Sequence, residues 1–299
     1  MRVKTSPRTT KGDRVFNRIV IAIVSLLTVI VLLPMINIVA CSFSSPGAVS
    51  AGKVLLWPVQ FTLDSYELVL KYKDVWVGYR NTIFYTVAGT LINVVLTMFC
   101  AYPLSVKTFS GRRFLNKMFM FTMIFSGGMI ANYILVRDLK IMNSIWAVLL
   151  PGAINVYNVM ITRTYIETSI PRDLEESARI DGCSYFMYFL KFVLPLAKPI
   201  IAVIAMYYAV GHWNSYFSAF LYLSDDNLYP LQLFLREILI NSRMDTSGVT
   251  DPEMLEAMQG LADALKYVVI VVSTFPLMCI YPFVQKYFVK GVMIGAVKG

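Results

Sequence analysis

The sequence contains little charge and almost no histidine. Only 15% of its 299 residues are Asp, Glu, Lys or Arg, whereas a soluble domain carries roughly 25%. The single histidine is His212, and the four scattered cysteines form no C-x-x-C pair. There is no H-E-x-x-H motif either. Zinc sites, disulfide frameworks and metal-dependent intramembrane enzymes need such clusters, so the sequence argues against all three classes.

Apolar residues, in contrast, are abundant, at 57% of the chain with a mean hydropathy of +0.63. Six stretches of roughly 20 residues are long and apolar enough to cross a bilayer. They are residues 19–41, 81–103, 115–135, 145–165, 199–221 and 267–287. Gly127 and Gly128 interrupt the third stretch and can kink or unwind it. The predicted fold class is all-α, a polytopic membrane protein with six transmembrane helices.

The positions of Lys and Arg predict the orientation. With the N-terminus in the cytoplasm, the inner side of a six-helix chain carries twice as many basic residues as the outer side, as the positive-inside rule requires. This predicts a cytoplasmic segment 1–18 and a transmembrane domain 19–299, with an inner loop 167–198 and an outer loop 222–266. Both termini are cytoplasmic in this topology. The net charge of +9 then reflects orientation in membrane lipid, and no nucleic-acid partner is expected.

One short segment imitates a phosphate-binding loop. Gly47 to Lys53 reads G-x-x-x-x-G-K, but Val54 stands where Ser or Thr must hold Mg²⁺. The segment is also predicted to lie outside the cell. The chain is therefore expected to bind no cofactor and to have no ATP site of its own.

The inner loop predicts two short helices joined at a glycine. Pro171 suits the first position of a helix because its missing N–H would be unpaired there. Leu174 and Ala178 follow at helical spacing on one face, and Gly182 is suited to end the helix in a left-handed conformation. Ser184 can then cap the second helix.

The same loop resembles the coupling motif of bacterial ABC-importer permeases, usually written E-A-A-x-x-x-G followed by I-x-L-P. The residues that carry the resemblance are Glu176, Ser177, Ala178, Asp181, Gly182, Phe189, Leu194, Pro195 and Pro199. Ser177 replaces the usual first Ala, which is a small-for-small change. Leu194 and Pro195, with Pro199, are expected to stop the second helix and turn the chain into the fifth span.

Three further segments resemble the carbohydrate permeases of the maltose-permease G type. The ending at residues 285–299 is typical of that group. Residues 211–216 and 228–232 are most similar to its oligosaccharide or lipid-polysaccharide branch. Ala131 and Asn132 depart from that branch, which commonly has Pro-Thr at this point.

The resemblance implies a type I ABC importer permease fold in the cytoplasmic membrane of a bacterium, and import of a sugar or oligosaccharide. It also implies partners. A second, homologous permease subunit completes the pore, two copies of a cytoplasmic ATPase bind ATP and Mg²⁺ beneath it, and an extracytoplasmic solute-binding protein delivers the sugar. The inner loop would insert into a cleft of the ATPase, with Asp181 and Gly182 at its turn.

Amides, hydroxyls and aromatic rings in the spans are candidates for contact with a sugar, which is held by hydrogen bonds and by stacking. The candidate substrate path comprises Trp213, Asn214, Tyr216, His212, Asn155, Tyr157, Asn158 and Asn93. Trp213 and Asn214 are the first choice because they follow Gly211 deep in the predicted fifth span. The alternative for each residue is helix packing, which polar and aromatic side chains in spans also serve.

An ion-coupled secondary transporter, or a channel for a small polar solute, is the alternative function. Either needs ionisable side chains inside the membrane. His212 is the one such residue deep in a span, and Lys266 lies at the edge of the sixth. A lone histidine beside Trp and Asn more often makes a helix contact than a proton relay, so the importer is preferred.

Overall fold

The structure is a computed structural model that describes residues 10–241, 260–279 and 282. These residues form helices and connecting turns, with a single isolated bridge between Ser44 and Phe61. The chain divides into two compact units, one of residues 1–71 and 238–272 and the other of residues 72–237 and 273–299. The predicted all-α class is confirmed.

The first unit begins with the long helix α1 (Lys11–Ser42). Thr10 and Asp13 form a capping box, in which each side chain accepts a hydrogen bond from the backbone N–H of the other residue. The apolar side chains from Val15 to Met35 are exposed, as expected of a span that lipid surrounds. Two short helices, α2 (Pro46–Ser50) and α3 (Asp64–Lys71), follow.

The second unit is built on α4 (Lys73–Ser105), and its described residues contain nine more complete α-helices. They are α5 (Arg112–Ile124), α6 (Gly128–Asp138), α7 (Ile145–Leu149), α8 (Val156–Ser169), α9 (Arg172–Ile180), α10 (Tyr185–Tyr188), α11 (Leu194–Leu196), α12 (Lys198–Trp213) and α13 (Phe217–Tyr222). Helix α4 packs on both α8 and α12. Met98, Val159 and Ile204, one from each helix, are buried in the shared core.

Two last helices, α14 (Leu231–Asn241) and α15 (Gly260–Cys279), follow along the chain. The predicted sixth span begins at 267, and within the described residues α15 already includes the seven residues before it. Helices α1, α4 and α15 are each long and apolar enough to cross a membrane. The part of the sixth span beyond Cys279 lies outside the described residues, apart from residue 282.

The remaining predicted spans are broken. The third consists of two helices, α5 and α6. The chain bends by 114° between them, where Gly128 adopts φ +79°. The fourth, predicted over 145–165, is interrupted between α7 and α8 because Pro151 has no N–H to donate and Gly152 turns with φ +77°. The fifth, predicted over 199–221, stops at Trp213, where the Asn214 Nδ2 donates to the Val210 carbonyl at 2.9 Å.

Candidate functional sites in the inner loop and the central cavity

The two-helix loop, defined as residues 167–198, is turned by a glycine. The Gly182 N–H donates to the Arg179 carbonyl at 3.0 Å, and the Cys183 N–H donates to the Ala178 carbonyl at 2.9 Å. This pair of bonds is the Schellman motif, which requires a left-handed residue, and Gly182 has φ +79°. Pro171 was predicted to be the first helical residue. In the structure it is the N-cap, and the helix begins at Arg172.

The second helix of the loop begins as predicted and ends later. Ser184 caps α10 by accepting a hydrogen bond from the Met187 N–H at 3.3 Å. The chain then continues through a π-helical turn, Phe189–Val193, and α11, so Leu194 and Pro195 do not stop it. The axis bends at Ala197, by 79° between Tyr185–Leu196 and α12. Pro195 lies just after the π-helical turn, one residue before the end of α11 at Leu196.

The predicted coupling residues divide into two sets according to burial. Ala178 and Phe189 are buried in the core, and Leu174 and Leu194 pack against it. In contrast, the outward side of the loop is exposed. It presents Pro171, Glu176, Asp181, Gly182 and Pro195.

The sequence reasoning did not single out Ile180, which is 86% exposed at the end of α9. It lies next to the Asp181–Gly182 turn. Its neighbour Arg179 places its guanidinium 4.1 Å from the centre of the Tyr185 ring, and so connects the two helices of the loop.

An ionic network fixes the start of the loop. The Glu167 carboxylate accepts hydrogen bonds from Arg112 and from Arg163, the latter at 3.1 Å. Arg112 also donates through Nε to the Leu104 carbonyl at 2.8 Å, which joins the end of α4 to α5 and α8. Beside this network lies a cleft of about 210 Å³ that includes Glu175 and Arg179 of α9. The loop is therefore attached to the three helices by both apolar and ionic contacts.

A cavity of about 470 Å³ lies among α4, α8 and α12. Its lining includes five predicted substrate-path residues, namely Asn93, Asn155, Tyr157, Asn158 and His212. Of the described residues that line it, none is Asp, Glu, Lys or Arg. Its walls can therefore supply hydrogen bonds and aromatic faces, without a fixed charge.

Hydrogen bonds order these walls. The Tyr208 hydroxyl lies 2.7 Å from the Thr97 hydroxyl and accepts from the Asn155 N–H at 3.1 Å. The Asn155 side chain in turn caps α8 by accepting from the Asn158 N–H at 3.1 Å. Tyr208 thus connects α12 to both neighbouring helices. Tyr208 also lines the cavity, and a hydroxyl on an apolar helix signals a specific partner.

Three predicted substrate residues are not in the cavity lining. Trp213 is only 4% exposed, and its Nε1 donates to the Ser273 carbonyl at 3.0 Å. Asn214 bonds back to its own helix, as described above, and Tyr216 faces the Arg236 guanidinium at 5.5 Å. In this conformation Trp213 packs between helices and has almost no surface for a solute. Its predicted contact with a sugar stays a prediction.

The start of the predicted outer loop is an ordered acidic turn. Asp225 accepts from the Asn227 N–H at 3.0 Å and caps a short 3₁₀ turn, Asp226–Leu228. Burial raises the pKa of the Glu237 carboxyl above its usual value, and the nearby Asp226 raises it further. Residues 242–259 of the predicted loop lie outside the described residues.

Comparison with known proteins identifies the class. The family described as "Binding-protein-dependent transport system inner membrane component" matches residues 7–294. This chain belongs to that family. It is therefore a permease, an inner-membrane component of an ABC transport system, as the loop motif predicted, and the secondary-transporter alternative is set aside.

Individual relatives of this family member are similar over almost their whole length. Protein LplC of Bacillus subtilis (strain 168) is 40% identical, with 97% of each chain covered. The polygalacturonan/rhamnogalacturonan transport system permease protein YtcP of the same organism is 39% identical, with 96% of this chain and 99% of YtcP covered.

A solved structure has the same fold. It is a chain of a bacterial ABC transporter involved in the import of the acidic polysaccharide alginate, with a TM-score of 0.83 and 34% identity. The match covers 95% of this permease and 100% of that chain. The ABC permease fold is thus confirmed for this chain.

Proposed function

We propose that this permease is one half of the transmembrane pore of an ABC importer for a sugar or oligosaccharide, and that its two-helix loop docks into the ATPase. The observation that carries the docking role is the loop's construction. Ala178 and Phe189 are buried on its inner side, while Asp181 and Gly182 form an exposed turn on its outer side. A loop anchored in this way can transmit movement of a partner to the helices behind it.

The assembly completes the proposal. A second homologous permease subunit forms the rest of the pore, and two copies of a cytoplasmic ATPase bind ATP and Mg²⁺. An extracytoplasmic solute-binding protein presents the solute. Both termini of this chain are cytoplasmic, and the chain itself has no ATP site. The excess of Lys and Arg on the inner side supports this orientation.

Two observations support a sugar as the solute. The cavity is lined by amides, hydroxyls and aromatic rings, which suit a polyol. The relatives YtcP and the alginate transporter act on polysaccharides, as their names state, and AraQ of Halalkalibacterium halodurans, 26% identical, is named for arabino-oligosaccharides. The path of the solute in this chain is proposed to run past Asn93, Asn155 and His212.

The docking role can be tested at Gly182. Because φ is +79°, a β-branched side chain at this position is strained by about 1–2 kcal/mol, although no atom lies within 4 Å of a Cβ placed there. We expect Gly182→Val to insert in the membrane but to co-purify with less ATPase. Gly182→Asn, which tolerates the left-handed conformation, should retain the ATPase.

Gly152→Val provides the matched control. Gly152 has a similar φ of +77° and equally open surroundings, but it lies at the cavity instead of the loop. It should keep its ATPase stoichiometry, measured on the purified complex. Full stoichiometry and normal solute-stimulated hydrolysis in Gly182→Val would remove the docking role.

A further inference from the structure

Helix α4 contains a buried amide that the described chain uses only in part. Asn93 is 3% exposed and lines the central cavity. Its Nδ2 lies 3.2 Å from the His212 Nε2, but its Oδ1 is buried without a hydrogen-bond partner among the described residues. Exchanging the amide O and N changes which atom is unpaired, but one of them stays unpaired in either assignment.

Buried polar atoms in native proteins are almost always hydrogen-bonded, so an unpaired one at a cavity wall needs an explanation. A bound solute with hydroxyl groups provides it, because a hydroxyl can both donate and accept. It would satisfy the free atom of Asn93 in either amide orientation.

The position of Asn93 depends on a close approach between α4 and α12. A Cβ at Gly89, one turn before Asn93, would lie 2.4 Å from the His212 Nε2. The imidazole therefore rests directly on the Gly89 backbone, where any side chain would displace it. Gly89 thus admits His212, and His212 holds one side of the Asn93 amide.

The other walls match the same kind of solute. Asn155 and Tyr208 are ordered by the hydrogen bonds described above, and Ser215 and Tyr207 add further polar groups to the lining. No cation among the described lining residues could pair with a carboxylate. A uronate carboxylate would therefore find no cationic side chain here, whereas a neutral sugar needs none.

We propose that this cavity is a subsite for an uncharged glycosyl unit, with Asn93 as a contact to a sugar hydroxyl and His212, seated on Gly89, as the residue that positions Asn93. The inference rests on the proposed sugar-import function and deepens it. It assigns solute contacts to this subunit itself and predicts that any acidic unit of a saccharide binds elsewhere in the pore.

The test uses the complete complex of both permease subunits and the ATPase, purified in detergent without binding protein. Tritium-labelled arabino-oligosaccharides serve as the neutral probe and oligogalacturonides as the charged probe. The measurements are the Kd of each probe and, after reconstitution with the binding protein, its import rate. Loss of one hydrogen bond corresponds to about a tenfold change in Kd.

We expect Asn93→Leu, His212→Leu and Gly89→Ala each to raise the Kd of the neutral probe about tenfold. His212→Gln keeps an amide that can pair with Asn93, so it should stay within about threefold of the wild type. The double variant Gly89→Ala with His212→Leu should be no worse than either single variant, because both act through one contact. Thr122→Val is the control, since among the described residues the Thr122 hydroxyl bonds only to the Phe119 carbonyl of its own helix.

The possible failures are distinct. If the wild-type complex imports neither probe, the proposed function is overturned and the subsite with it. If import is normal but the three variants keep the wild-type Kd, the subsite is wrong and the function stands. Tighter binding of the charged probe, with the same dependence on Asn93, would contradict the assignment to an uncharged unit.

Discussion

The two-helix loop and the central cavity belong to the same compact unit but are built on opposite principles. The loop buries apolar side chains such as Phe189 on its inner side and exposes charge and Ile180 on its outer side. The cavity is walled by uncharged amides and hydroxyls, some of which are held by hydrogen bonds. Exposed charge suits reversible docking of a protein, because it steers association and selects partners. Neutral hydrogen-bonding walls suit passage of a solute that must also leave.

Among the variants that test this difference, the largest loss of stability is expected at Trp213, the residue next to His212. Trp213→Ala removes a buried indole and the hydrogen bond to Ser273, and should destabilise the subunit by about 3 kcal/mol or more. Thermal unfolding of the purified complex measures this loss. The Kd of a saccharide for the surviving complex should stay unchanged.

Trp213→Phe is the control, because it keeps much of the ring volume and loses only the Nε1 donor. Its effect on unfolding should be smaller. An unaltered unfolding temperature with a raised Kd would instead place Trp213 on the solute path, as the sequence predicted.

A smaller effect is expected at Asp181, on the other side of the comparison. Asp181→Lys reverses an exposed charge next to Gly182, which can cost an interface a few kcal/mol. The amount of ATPase that co-purifies should fall, whereas saccharide binding to the assembled fraction should not change. Asp181→Asn, which removes the charge without reversing it, should lie between. Equal ATPase recovery for all three proteins would mean that this carboxylate does not face the partner.

The smallest effect is expected outside both regions, at the acidic turn of the outer loop. Asp226 is exposed, and we propose that this turn faces the binding protein. Asp226→Lys should slow import at limiting binding protein, within about 1 kcal/mol because surface charges are screened. Raising the salt concentration should reduce the difference.

ATPase docking should be unaffected by this change. Asp225→Lys should weaken import more than Asp226→Lys, because Asp225 also caps the turn. Import that is unchanged at limiting binding protein for both variants would contradict this role of the turn.

The turn and the cap of the loop could be predicted because their geometry is local. Gly182 and Ser184 act on backbone groups within a few positions, so their identity alone indicates the turn and the cap. The helix continues past Leu194 and Pro195 to Leu196, and the chain turns at Ala197, two residues after Pro195.

The cavity could be predicted only in part because its shape depends on contacts between helices that are far apart in the sequence. Asn93 and His212 were chosen by residue type, but the contact through Gly89 depends on how α4 meets α12. The break at Pro151 and Gly152 was missed because a hydropathy window averages over a short turn. The sequence around Trp213 does not distinguish a tryptophan that packs between helices from one that contacts a solute.

The bend at Ala197 has a mechanical consequence. This small residue is fully buried, and α12 extends from it towards His212. Fifteen residues of helix make a rod of about 22 Å at 1.5 Å per residue. If that rod stays stiff, a swing of about 10° around Ala197 carries the far end by about 4 Å, more than the length of a hydrogen bond. A modest tilt of α12 at Ala197 is therefore enough to separate the His212 imidazole from Gly89.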